Sequence, residues 1–200
     1  MTPFWQSKPP IYLGRARRES LHAQAPHRAG DGLASGHRVN LLERYDYPFF
    51  NLSHSDGRAL VAVACDEVGV DIERCTERAD ADRLLAVICS TQEAGVLQAG
   101  LPPDALQHTL YRLWTRKEAY CKAIGQGLGK APDSFSVIES GPGGGAMSAV
   151  AEVQDATKAG RWRVHELPCA PGWAAALCAR LEAVHIVQRA WTPGLPVTRS

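Results

Sequence analysis

The chain has 200 residues, 45% of them hydrophobic and 22% charged, with a formal net charge of +1 at pH 7. That length suits one large domain or two small packed ones, and so small a charge sets up no field for nucleic acid or an anionic membrane. The longest apolar runs, such as Ala59 to Cys65, are too short to span a bilayer. Arg15, Arg17 and Arg18 are followed by no apolar signal-peptide stretch. Cys65, Cys75, Cys89, Cys121, Cys169 and Cys178 form no CxxC pair or zinc spacing, so free thiols in a cytoplasmic protein are expected.

Residues 1–47 show no sustained period of 2 or 3.6. They read as an atypical segment, mostly irregular, with one short helix near 15–24. From Pro48 the pattern changes. Phe49 to His54 alternates as a strand, and Ser55-Asp56-Gly57-Arg58 is a hairpin-turn signature. Ala59 to Cys65 fits a buried strand, and Asp66-Glu67 turns the chain into a third, Val68 to Glu73. Short turns join the three into an antiparallel meander. On the third strand Val68, Val70 and Ile72 face one side and Gly69, Asp71 and Glu73 the other. Its two acids stand about 7 Å apart along the backbone. They repel each other and need solvent, a basic partner or a cation. Gly69 leaves room for something to approach the backbone closely.

Residues 77–98 read as helical, with Ser90-x-x-Glu93 a capping box that opens a second helix. Residues 100–103 (Gly-Leu-Pro-Pro) break it. The next helix runs from near Asp104 to Gly125, a glycine suited to the C′ position. Trp114, Glu118 and Lys122 are spaced four apart on one face, so Glu118 and Lys122 alone would be an ordinary ion pair. After a glycine-rich loop, strands are expected at 134–138, 149–154, 161–167, 173–179 and 184–190. The glycines at 141–145 lack the strand-then-helix context of a phosphate loop.

Three signals stand in order: Asn51-Leu52-Ser53-His54-Ser55, Gly69-Val70-Asp71-Ile72-Glu73, and Trp114-x-x-Lys117-Glu118-Ala119-Tyr120-x-Lys122-Ala123-x-Gly125-x-Gly127-Leu128. Together they resemble the phosphopantetheinyl transferases of the surfactin-synthetase type, as do Ser90-x-x-Glu93 and Asp133-Ser134-Phe135-Ser136-Val137. The resemblance covers residues 48 to about 180. It implies an α+β fold of two similar halves (48–100 and 101–200), each an antiparallel sheet with helices, related by a pseudo-twofold with coenzyme A between them. It also implies a monomer that moves the phosphopantetheine arm of coenzyme A to a serine of an acyl or peptidyl carrier protein, releasing adenosine 3',5'-bisphosphate. No nucleic acid or membrane partner is implied.

By that resemblance Asp71, Glu73 and Glu118 are the Mg²⁺ ligands, with Mn²⁺ an alternative. Glu118 is the general base and Lys122 the catalytic lysine that stabilises the leaving phosphate. His54 contacts the coenzyme phosphates. Ser53 is a coenzyme contact or an edge hydrogen bonder, Lys117 a phosphate contact or a structural one, and Trp114 packs in the core. Family members carry a longer segment before the first motif, with a basic helix and a Gly-Lys-Pro or Gly-Arg-Pro turn. Here the nearest matches are Arg15, Arg17 and Arg18, and Gly36-His37-Arg38, so weaker coenzyme binding is expected. The competing readings are an impaired relative that binds carrier or coenzyme A without turnover, and a generic metal-dependent phosphohydrolase.

Overall fold

Residues 11–17, 49–97, 103–138, 147–180 and 185–190 are described by the computed structural model of the chain. The expectations for 18–48, 100–102 and 141–145 lie outside them. In chain order the elements are β1 (Ile11–Arg17), β2 (Phe49–Ser55), β3 (Arg58–Ala64), β4 (Val68–Arg74), α1 (Ala81–Ile88), α2 (Thr91–Leu97), α3 (Pro103–Ala123), β5 (Val150–Glu152), β6 (Trp162–Glu166), β7 (Trp173–Arg180) and β8 (Ile186–Ala190). The fold is α+β, with one four-stranded sheet in the order β2-β3-β1-β8 and another in the order β4-β7-β6-β5.

Local signals hold. The β2–β3 hairpin turns on Asp56 and Gly57, whose φ angles are 36° and 76°, as a turn with both central residues at positive φ requires. The capping box forms: the backbone N–H of Ser90 donates to Glu93 Oε2 at 2.8 Å, and that of Glu93 to Ser90 Oγ at 3.3 Å. It separates α1 from α2. At the end of α3, Gly125 has φ 68°; its N–H donates to the carbonyl of Lys122, and that of Gln126 to the carbonyl of Cys121. This is the Schellman arrangement that lets a glycine end a helix. None of the six cysteines is in a disulfide.

Four expectations fail, each through a distant partner. β4 is not the third strand of a meander, because β3 takes β1 on its other side. β4 instead pairs antiparallel with β7, from Val68↔Ala179 to Arg74↔Trp173. Ile11–Arg17 is a strand rather than part of a helix near 15–24, held antiparallel to β3 and parallel to β8. That parallel pair also departs from purely antiparallel sheets. Residues 134–138 form no strand, apart from a single bridge from Ser136 to Gln154. Side chains claim their backbone instead: Glu93 accepts from the Val137 N–H, Arg116 donates to the Val137 carbonyl, and Lys117 donates to the Phe135 carbonyl.

The layers run sheet, sheet, helix. Val68, Val70 and Ile72 of β4 pack with Leu60, Ala62 and Ala64 of β3 and with Ala175 and Leu177 of β7. The opposite face of the second sheet offers Val164, Ala176 and Cys178 to Leu113, Ala119, Tyr120 and Ala123 of α3. At Gly69 the backbone of β4 lies directly against that of α3. A Cβ there would lie 2.0 Å from the Ala119 carbonyl oxygen and 2.5 Å from the Ala123 nitrogen. The backbone approach expected at Gly69 is therefore made by α3 itself. Because the blocking atoms are helix backbone, Gly69→Ala should cost about 3 kcal/mol or prevent folding. Urea denaturation of the variant measures this, and a change under about 0.5 kcal/mol would contradict the packing described.

Candidate active site

Strand β4 supplies two carboxylates and α3 a third, on the facing surfaces that Gly69 brings together. Each has a different environment. Asp71 is buried: its Oδ1 accepts from Lys122 Nζ at 2.6 Å and from Ser53 Oγ at 2.7 Å. Its Oδ2 is buried with no hydrogen-bond partner. Glu73, half-buried, accepts from Ser55 Oγ at 2.9 Å. Burial raises its pKa, the Ser55 hydrogen bond opposes this, and the neighbouring Asp71 raises it further. Glu118 is also half-buried, and burial raises its pKa, with Asp71 and Glu73 adding to the rise and Lys122 opposing it. The three acids thus sense one another's charge.

The close ion pair of Lys122 is with Asp71 rather than with Glu118 at i,i+4. Besides Asp71, its amine donates to Ser53 Oγ at 3.1 Å and to the Val70 carbonyl at 3.3 Å. The side chain is about a quarter exposed, and these three acceptors match the three hydrogens of its ammonium group. Beyond it lies a shallow cavity of about 240 Å³ between Phe49 and Phe50 of β2 and the end of α3. His54 is exposed on β2 and acts electrostatically on Glu73.

Strand β2 runs parallel beside the outer edge of β4. Side chains, not backbone, join the two. Asn51 Oδ1 accepts from the Val70 N–H at 2.9 Å, Ser53 Oγ from the Ile72 N–H at 3.3 Å, and Ser55 Oγ from the Arg74 N–H at 3.2 Å. Asn51 and Ser55 were legible only as members of a motif. The signal that finds their role is their period of 2, which matches the unpaired N–H groups of an edge strand.

Lys117 stands apart from this cluster. Its amine donates to the carbonyls of Pro132 and Phe135, both at 2.7 Å, and lies 2.7 Å from Glu93 Oε2. Both side chains are buried, at 2% and 0% exposure. Of its two readings, the structural one describes these contacts. Trp114 packs against the core, as expected. Among the described residues, no group of three His, Cys, Asp or Glu side chains is placed so that it could hold a metal ion, and no helix is long and apolar enough to cross a membrane.

A family model described as the 4'-phosphopantetheinyl transferase superfamily matches residues 67–178. The 4'-phosphopantetheinyl transferase HetI of a Nostoc species is 39% identical over 82 residues, covering 40% of this chain and 34% of the relative. The 4'-phosphopantetheinyl transferase gsp of Aneurinibacillus migulanus is 34% identical over 105 residues, 48% of this chain and 43% of the relative. The 4'-phosphopantetheinyl transferase Sfp of Bacillus subtilis is 32% identical over 88 residues, 44% and 38% of the two chains. The matched stretches thus span less than half the length of these relatives.

Two outcomes follow from the charges. Lys117→Met strands Glu93 in the core and should cost about 3–5 kcal/mol in a urea titration; an unchanged midpoint would contradict the buried pair. Glu73 and Glu118 have folded-state pKa values above their unfolded ones. The folded chain therefore holds more protons across that interval, and stability falls as pH rises through it. In chelator-treated protein Glu118→Gln should flatten this fall. Urea midpoints from about pH 4 to about pH 8 test it, and identical profiles for variant and wild type would contradict it.

Proposed function

The chain belongs to the 4'-phosphopantetheinyl transferase superfamily, and on that premise we propose that it moves the phosphopantetheine arm of coenzyme A onto a serine of an acyl or peptidyl carrier protein. The observation that carries this reading is the orphaned, buried Asp71 Oδ2. Glu73 and Glu118 lie in charge contact with Asp71, and Lys122 bonds to it. An unpartnered carboxylate oxygen among acids with raised pKa values suits a hard divalent cation, Mg²⁺ or Mn²⁺, which Asp71, Glu73 and Glu118 would hold. Such an ion, when bound, neutralises charge on phosphoryl oxygens.

The chain's own residues divide the remaining work. Glu118, half-buried on α3 and facing Asp71 and Glu73, accepts the proton of the carrier serine hydroxyl. The serine oxygen bonds to the phosphorus bearing the pantetheine arm, and the bond from that phosphorus to the bridging oxygen breaks. Adenosine 3',5'-bisphosphate leaves with the bridging oxygen. Lys122, partly exposed at the edge of the site, stabilises the charge that develops on this leaving phosphate. His54, exposed on β2, contacts the coenzyme phosphates from the solvent side. Two halves about a pseudo-twofold with coenzyme A between them belong to the same reading, although β4 pairs with β7 across the boundary between 48–100 and 101–200.

Incubating the protein with Mg²⁺, coenzyme A and several apo carrier proteins should add one phosphopantetheine arm, read by mass spectrometry. Glu118→Ala and Lys122→Ala should each slow labelling about 100-fold or more. Carrier left unmodified, or labelling by both variants at the wild-type rate, would sink the assignment. Release of free phosphate from a nucleotide without carrier would instead favour a phosphohydrolase.

A further inference from the structure

Ser55 donates to Glu73 and Ser53 to Asp71, yet each hydroxyl is already committed on its other side. A serine hydroxyl offers one hydrogen and two lone pairs. Ser55 Oγ accepts the Arg74 N–H at 3.2 Å and gives its hydrogen to Glu73 Oε2 at 2.9 Å. Ser53 Oγ accepts the Ile72 N–H at 3.3 Å and Lys122 Nζ at 3.1 Å, and gives its hydrogen to Asp71 Oδ1 at 2.7 Å. Ser53 therefore has no lone pair or hydrogen left for a ligand, and it is only 6% exposed. Asn51 supplies the same kind of backbone contact, to the Val70 N–H at 2.9 Å, with no carboxylate beyond it.

Resting on the transferase reading above, we propose that Ser53 and Ser55 are positioning residues. Each reads a fixed backbone N–H of β4 and converts it into a fixed orientation of the neighbouring carboxylate, so that Asp71 and Glu73 present their oxygens to the cation. Ser53, with every position filled, does not touch coenzyme A. A backbone N–H can only donate, so it turns the hydroxyl hydrogen toward the acid. Hydrogen bonds to a ligating carboxylate hold it in its binding rotamer in the same way that outer partners orient other metal ligands. The serines of the Asn51-x-Ser53-x-Ser55 pattern thus belong to the acid strand's chemistry, while Asn51 belongs to its pairing alone.

The built-in comparison makes this testable without turnover. Mn²⁺ affinity of the full chain is measured by electron paramagnetic resonance of the free ion, beside the thermal midpoint of each variant. Ser55→Ala should weaken Mn²⁺ binding about tenfold, and Ser55→Thr, which keeps the hydroxyl, should restore it. Asn51→Ala should lower the thermal midpoint as Ser55→Ala does but leave Mn²⁺ affinity unchanged. The proposal is overturned if Ser55→Ala binds Mn²⁺ like wild type, or if Asn51→Ala weakens it equally, which would reduce the serines to strand pairing. A wild-type chain that binds no Mn²⁺ would remove the carboxylate site itself, and the positioning role with it.

Discussion

Three N–H groups on the outer edge of β4 have no strand to receive them, and the arrangement of the site follows from how they are satisfied. Leaving such a group buried and unpaired costs about 1–3 kcal/mol. A further backbone strand would close the edge but leave no polar side chains there. Strand β2 closes it with Asn51, Ser53 and Ser55, which brings two hydroxyls within reach of the acids. With β7 on its other edge, the first sheet beneath and α3 above, β4 is held on all four sides. Two acids at the end of such a strand have little freedom to turn away from each other, and their repulsion persists in the folded chain.

Helix α3 carries the basic residues as well as Glu118, and from Leu113 onward most of its side chains are buried. A helix in that position needs a partner for each polar group. Arg116 donates to Glu166 and to the carbonyls of Val137 and Ser148, and Arg112 joins it on Glu166. Lys117 is saturated by Glu93 and two carbonyls. One turn later Lys122 also has three acceptors, Asp71, Ser53 and the Val70 carbonyl, but it is less buried. Lys122 sits at the rim, and its partner Asp71 keeps an unpaired oxygen. Within six residues the helix passes from cations that bind segments of the fold together to a cation that faces the site.

What could be read from the sequence was local. Asp56-Gly57, Ser90-x-x-Glu93 and Gly125 announce a turn, a cap and a helix end because each conformation is decided within four or five residues. The two faces of Val68 to Glu73 were legible for the same reason, and with them the shared surface of Asp71 and Glu73. Which strand β4 joins was not, since alternation along a strand is the same whatever lies beside it. Nor did spacing reveal that Glu93 is both a cap and the partner of Lys117, or that Ser53 is committed before any ligand arrives. These depend on contacts across 24 and 18 positions. The segment 134–138 carries a strand pattern, but its backbone was claimed by side chains from two helices.

The pairing of β4 with β7 has a consequence in time. Arg74 at the end of one strand lies opposite Trp173 at the start of the other, so a very long stretch of chain must be looped before the pair can form. Contacts of that separation slow folding, because the entropy of closing the loop is lost before any contact compensates for it. The β2–β3 hairpin and α3 can form early from their own neighbours. The strand that carries Asp71 and Glu73 acquires its backbone partner only once the later hairpin has arrived. Assembly of the acid cluster is therefore a late event, and an incompletely folded chain would hold most of its secondary structure without a site.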